Sequence, residues 1–198
     1  MLSLYTKDMD GVWFGVACDG EEVFATAFAF SGKRALHSLL GSIPFNVPFQ
    51  QLETASAFAE RVIALLKDVC DGKDVSGNVS LAMEHLSNYA KNVIKVTSLI
   101  PVGYVASYGS VAKAVGGSPR AVGRVMASNP FPLIVPCHRV VSSDFTLGGY
   151  GGGLDVKFEI LKRESRGYNS EREILVGDKK LQLFPVEFVL KKLEKGKC

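Results

Sequence analysis

The sequence predicts an α+β protein in two parts: a small α/β domain over residues 1–80 and a mostly helical domain over residues 86–167. Three observations carry this expectation. The first third alternates apolar and polar residues at the period of strands. The stretch from Ala106 to Pro130 reads as two short capped helices joined by a pair of glycines. The charge is also divided. Met1–His85 carries 6 Lys and Arg against 11 Asp and Glu, whereas Leu86–Cys198 carries 17 against 9.

In chain order, "SLYTK", "GVWFGVACDG" and "EVFATAFAFSG" read as a β-meander, with Asp19-Gly20 as the tightest turn signal. "KRALHSLLGS" reads as a helix that places His37 at or near the surface. "TASAFAERVIALLKDVCDG" is an amphipathic helix with an N-cap at Thr54 and a stop at Gly72. The polar "KDVSGNVS", Lys73–Ser80, is the expected linker. "LAMEHLSNYAKNVIKVTSLI" then repeats apolar residues at helical spacing, with His85 near its start.

In the next helix Ser107 is the N-cap, Val111, Ala112 and Val115 form an apolar face, and Gly116-Gly117 stop it. Ser118 caps the following helix, Pro119 suits its first position, and Asn129-Pro130 end it. The pair has the shape of a helix-turn-helix, which an ordinary αα-corner shares. Arg120 and Arg124 lie on one face, and Ala121, Gly123, Ala127 and Ser128 are small. A helix so stripped of bulk can approach DNA closely, with arginines at phosphates and Met126 as an apolar wedge; packing against another helix would favour the same residues.

At 47% hydrophobic and 22% charged residues, the composition is that of a folded protein. No apolar run approaches the ~20 residues of a membrane helix, so no membrane role is expected. The N-terminus lacks the apolar core of a signal peptide, and the expectation is an intracellular protein, cytoplasmic or, in a eukaryote, nuclear. The basic second part suggests a polyanionic partner.

The four cysteines form no C-x-x-C pair and no zinc-finger spacing. Cys18 and Cys70 read as buried structural thiols, and Cys198 is the last residue. Cys137, in "VPCHRV", could be a structural thiol, a metal ligand or a nucleophile. Attack needs a thiolate, and hence a base or positive charge nearby. His138 is adjacent, but neighbours on a strand point to opposite faces; Pro136 suggests an irregular backbone instead. Asp144, Asp155, Glu159 and Glu164 are candidates to orient the imidazole. "LGGYGGGL" sets five glycines around Tyr150 and reads as a pocket wall. "LDVKFEILKRE" closes the unit as a helix with Leu154, Phe158 and Leu161 on one face.

The motif N-P-x-P-x-x-x-P-C-H-R-V is complete in Asn129, Pro130, Pro132, Pro136, Cys137, His138, Arg139 and Val140. With "VGYVASYGSVAKAVGGSPRAVGRVMAS" before it and "GGYGGGLDVKFEILKRE" after, the stretch Pro101–Glu164 resembles the O6-alkylguanine-DNA alkyltransferases. The resemblance implies a ribonuclease H-like first domain and a winged helix-turn-helix-like second one. It implies a protein that flips O6-alkylguanine out of double-stranded DNA and moves the alkyl group irreversibly to Cys137, once per molecule. His138 would then be the base, acting through a water, with Glu164 orienting it. Tyr108 would meet guanine N3, Arg120 would fill the gap left by the flipped nucleotide, and Asn129 would be the hinge. Tyr150 and Gly151 would wall the pocket, and the carbonyls of Cys137 and Val140 would meet the exocyclic amine. DNA would lie along Arg120, Ala121, Gly123, Arg124, Met126, Ala127 and Ser128. No metal or cofactor and a monomeric state are expected.

The chain departs from the family pattern in places. Gly151 stands where many relatives carry serine, and Arg124 where they carry a small residue. Cys18 and His85 do not reproduce the zinc set of some relatives. Residues 168–198 lie beyond the resemblance and receive no role, although "PVEFVLKKLEK" looks like an amphipathic helix. Three other readings are a relative that only flags the lesion, which would lack the cysteine, a helix-turn-helix regulator and a cysteine hydrolase.

Overall fold

The computed structural model describes residues 1–75 and 79–195. The middle of the expected linker, residues 76–78, and Cys198 lie outside the described residues. The protein is α+β, with two mixed sheets and seven α-helices among the described residues. Its contacts divide it into two units whose bounds differ from those expected. The first holds residues 1–70, 75–86 and 129–134; the second holds 71–74, 87–128 and the chain from 135 onward, including the C-terminal stretch.

In the first unit β1 (Leu2–Met9), β2 (Val12–Asp19) and β3 (Glu22–Ala29) form the antiparallel meander. Asp10-Gly11 turns the first hairpin and Gly20 the second, all with positive φ. β4 (Phe49–Gln51) adds parallel to β1, and β5 (Ser80–Leu81) parallel to β3. Helices cover both faces. Leu2 and Leu4 of β1 share a core with Leu39 of α1 (Gly32–Ser42). On the other face Tyr5 and Lys7 both donate to Glu60 of α2 (Ala57–Cys70), at 3.2 and 2.8 Å. The cap of α2 is Ser56, whose Oγ accepts from the Ala59 N–H at 3.1 Å, and not Thr54. A serine three residues before a free amide outcompetes a threonine two residues further upstream.

Residues 129–134 complete this unit although both their flanks belong to the second. The Thr26 N–H donates to the Pro130 carbonyl and its hydroxyl to the Pro132 carbonyl, both at 2.8 Å. Phe131 and Leu133 are buried, and Leu133 holds a φ of 74°, a costly conformation for a branched side chain.

In the second unit α3 (Asn88–Thr97) leads to β6 (Tyr104–Ser107), which runs straight into α4 (Tyr108–Val115). Ser107 is the expected cap: its Oγ accepts from the Ser110 N–H at 3.0 Å. Ser107→Ala should cost about 1 kcal/mol of stability, read as a lower urea midpoint at unchanged m. Gly116 and Gly117, both with positive φ, make the turn, and α5 (Pro119–Ala127) starts from Ser118. A Cβ at Gly117 would lie 2.8 Å from the Tyr89 hydroxyl, so the turn has no room for a side chain.

After the short 3-10 turn Cys137–Arg139 come β7 (Val140–Val141) and α6 (Leu154–Arg163). The stretch that received no role folds as a hairpin, β8 (Arg172–Val176) and β9 (Lys179–Pro185), followed by α7 (Val186–Lys195). The sheet order is β7-β6-β9-β8. Leu181 and Leu183 of β9 join the core under α4, and Val186 and Val189 of α7 pack with Val105, Val141 and Leu161. The buried face of α6 overlaps the one expected, since Leu161 is buried and Phe158 packs beside it, but it is rotated away from Leu154. It presents Lys157, Ile160 and Leu161, while Leu154 is 48% exposed. Hydrophobicity alone misplaces this face because two ionic side chains, Lys157 and Glu164, find partners inside.

Candidate active site

Cys137 sits on a backbone bent twice. Pro136 has φ −77° and ψ 64°, and the Cys137 N–H donates to the Val135 carbonyl at 2.7 Å, an inverse γ-turn. The 3-10 turn follows, closed by the Val140 N–H on the Cys137 carbonyl. This is the irregular backbone that Pro136 suggested, and it frees Cys137 and His138 from strand alternation.

His138 and Glu164 are both fully buried, with His138 Nε2 2.9 Å from Glu164 Oε1. Of the four candidate acids, Glu164 is the one that meets the imidazole; Asp144 instead accepts from the Thr146 N–H and hydroxyl, and Asp155 and Glu159 are exposed. Arg139 binds the same carboxylate. Its Nε donates to both oxygens, at 3.1 and 2.9 Å, and Nη2 to Oε1 at 2.7 Å, while Nη1 reaches the Ile100 carbonyl at 2.7 Å.

These contacts fix the charges. Burial acts to raise the Glu164 pKa, but the imidazole and the guanidinium outweigh it and hold the carboxyl down to about 2. Burial lowers the His138 pKa against the opposing pull of Glu164. A neutral imidazole facing an ionised carboxylate carries its proton on Nε2, which leaves Nδ1 as the acceptor. Nδ1 is buried and has no hydrogen-bond partner among the described residues.

Lys157 is a further buried cation. Its Nζ donates to the carbonyls of Val140 and Leu147, each at 2.6 Å, and of Gly149 at 3.3 Å. Burial lowers its pKa to about 8, against the pull of a negative Cys137. Lys157 thus clasps the glycine loop to β7. Sequence reading singled out neither Lys157 nor Arg139 as a buried partner, since one lysine or arginine reads like another until its burial is known.

A cavity of about 180 Å³ opens beside Cys137, lined by Tyr108, Gly123, Met126, Ala127, Gly149, Tyr150 and Gly151. Tyr108 leans over it and donates to the Gly149 carbonyl at 3.3 Å. Burial, then the charge of Cys137, raise its pKa, so the phenol stays protonated. Gly148, at φ 67°, is required, because a Cβ there would lie 2.9 Å from the Tyr108 ring. Gly151 differs: a Cβ would meet nothing within 4 Å, so the serine of relatives would fit.

On α5, Arg120, Arg124, Ala127 and Ser128 are exposed, and Ala121 and Gly123 half-buried. Met126 is not the projecting wedge expected of it. It is buried in the core, with the Thr97 hydroxyl 3.8 Å from its sulfur, and reaches the cavity from inside. Asn129 opens the segment that belongs to the first unit, and its Oδ1 accepts from the Phe131 N–H at 3.0 Å. The Cys137 and Val140 carbonyls each already accept one donor, from the Val140 N–H and from Lys157.

Residues 88–166 match the family model described as the DNA binding domain of 6-O-methylguanine DNA methyltransferase. A methylated-DNA–protein-cysteine methyltransferase of Methanocaldococcus jannaschii is 33% identical over 152 residues, 77% of this chain and 87% of that protein. One of the same name from Pyrobaculum aerophilum is 58% identical over 65 residues, which span 44% of its length. Among solved structures, the O6-methylguanine-DNA methyltransferase of Pyrococcus kodakaraensis has a TM-score of 0.64 at 31% identity, over 83% of this chain and 99% of that one. Mycobacterium tuberculosis OGT in complex with DNA has a TM-score of 0.64 at 26% identity, over 82% and 92%. The chain therefore belongs to the methylated-DNA–protein-cysteine methyltransferases, an enzyme family.

Proposed function

We propose that this protein repairs DNA by moving the alkyl group of O6-alkylguanine to its own Cys137. The observation that carries the reading is the buried His138–Glu164 pair, with His138 next in the chain to Cys137, which itself lines a cavity shared with Gly123, Met126 and Ala127 of α5. His138 Nδ1, the buried acceptor, takes the thiol proton through a water. Glu164 holds the imidazole and stabilises the imidazolium that forms. The thiolate attacks the alkyl carbon, the S–C bond forms as the C–O6 bond breaks, the electron pair returns to guanine, and guanine N1 takes up the proton that left the thiol, by way of His138 and water. Tyr108, kept protonated, donates to N3 and eases that charge. A thioether is a poor leaving group, so each molecule acts once.

A cysteine cannot reach O6 inside the stack, so the nucleotide must leave it, at a cost of a few kcal/mol. The second unit acts as a winged helix-turn-helix-like reader, with Arg120 in the vacated space and Ala121, Gly123, Arg124, Ala127 and Ser128 along the backbone. Asn129 is the hinge between α5 and the reactive turn, and Tyr150 and Gly151 wall the pocket. The first unit is ribonuclease H-like. The protein acts as a monomer on double-stranded DNA, in the cytoplasm or, in a eukaryote, the nucleus.

The test is an intact-mass measurement after mixing with a duplex that holds one O6-methylguanine, followed by peptide mapping. One methyl on Cys137 with guanine restored is the expected result; unchanged mass despite tight binding would replace repair with recognition alone. Arg120→Ala should slow transfer from a paired lesion about tenfold or more, and less from a mismatched one, where extrusion costs less.

A further inference from the structure

The β8–β9 hairpin lies beyond the residues matched by the family model, yet it is built into the second unit. β9 pairs antiparallel with β6, the strand that launches α4. Ile174, Val176, Leu181 and Leu183 pack in the core that also holds Val111, Ala112 and Ala114 of α4. The hairpin is therefore a fixed arm, and its tip turns at Gly177.

That tip carries two adjacent lysines with different surroundings. Lys180 is paired with Glu173 at 2.7 Å on the exposed face of the hairpin. Lys179 bends the other way, over the turn between α4 and α5: a Cβ at Gly116 would lie 4.0 Å from its Nζ. No hydrogen bond or ion pair neutralises Lys179 among the described residues. The α4–α5 surface it joins is cationic. No Asp or Glu occurs between Glu84 and Asp144, while Lys113, Arg120 and Arg124 on α4 and α5 are exposed.

Resting on the DNA-repair reading above, we infer that the tip of the β8–β9 hairpin, through Lys179, is a second contact with the DNA backbone, taking a phosphate beside α5. An ammonium on a rigid arm suits a phosphate as a point charge, without reading sequence. Asp178, also at the tip, opposes the contact.

Binding to an unmodified duplex, followed by fluorescence anisotropy across salt concentrations, tests this. Lys179→Gln should weaken binding roughly fivefold at 0.15 M salt and reduce the slope of log K against log salt by about one. Asp178→Asn should strengthen binding, and Lys180→Gln should match wild type. A Lys179→Gln protein with wild-type affinity and slope, or an Asp178→Asn protein with no gain, would overturn the arm while leaving the repair reading in place. Failure of the wild-type protein to bind duplex at all would overturn both.

Discussion

Glu164→Gln should reduce alkyl transfer by about two to four orders of magnitude, the range of a general base that has lost its orienting partner. The amide keeps the shape of the side chain but cannot hold the imidazole tautomer with Nδ1 open, and it leaves Arg139 without a counter-charge. Breaking a buried pair from one side costs about 3–5 kcal/mol. The sign is fixed. A lowered carboxylate pKa contributes stability that is full above the unfolded value and lost as pH falls through 4.5 toward 2. His138, also lowered, adds an earlier loss below 6.5, where the unfolded chain takes a proton that the folded one refuses. Wild-type denaturation curves should therefore weaken on acidification first below pH 6.5 and then below pH 4.5, and Glu164→Gln should lose less stability than wild type in the lower range, where Glu60, Asp144 and Glu187, also lowered, still contribute. A variant that transfers at the wild-type rate would remove Glu164 from the mechanism.

Lys157→Met should slow transfer by about a hundredfold, the scale of a displaced reacting group, while changing global stability by less than about 2 kcal/mol. Methionine fills the space and spares the cost of a buried charge, but the carbonyls of Val140, Leu147 and Gly149 lose their shared donor. The glycine loop then loosens from β7, and limited proteolysis should cut it sooner. Lys157 is a positioning residue, and a pH profile separates that role from mere bulk. Its ammonium loses its proton near pH 8, so wild-type transfer should fall above that value. The profile of Lys157→Met should lack this alkaline limb; if the limb persists, Lys157 does not produce it.

The local grammar of the chain was legible. Ser107 and Ser118 cap the helices they were expected to cap, and Gly116-Gly117 turn between them, because caps and turns depend on a few neighbouring residues. Pro136 announced an irregular backbone for the same reason. What could not be read were properties of partners far away in sequence. Lys157 and Arg139 look like any surface cation until Gly149 and Glu164 close around them. The expected face of α6, Leu154, Phe158 and Leu161, holds at Phe158 and Leu161 but fails at Leu154, because Lys157 and Glu164 are buried as well. The β8–β9 hairpin shows alternation in "EILV" and "LQLF" around Gly177-Asp178, but only pairing with β6 gives it a place.

Residues 129–134 belong to the first unit although the chain on either side belongs to the second. The two halves are consequently not modules that heredity can trade. A recombination event near residue 80 would part the β3 edge from the proline-rich strip that Thr26 holds, and each fragment would inherit a hole where the other's piece had been. Exchange at the middle of such a protein would therefore leave both products incomplete.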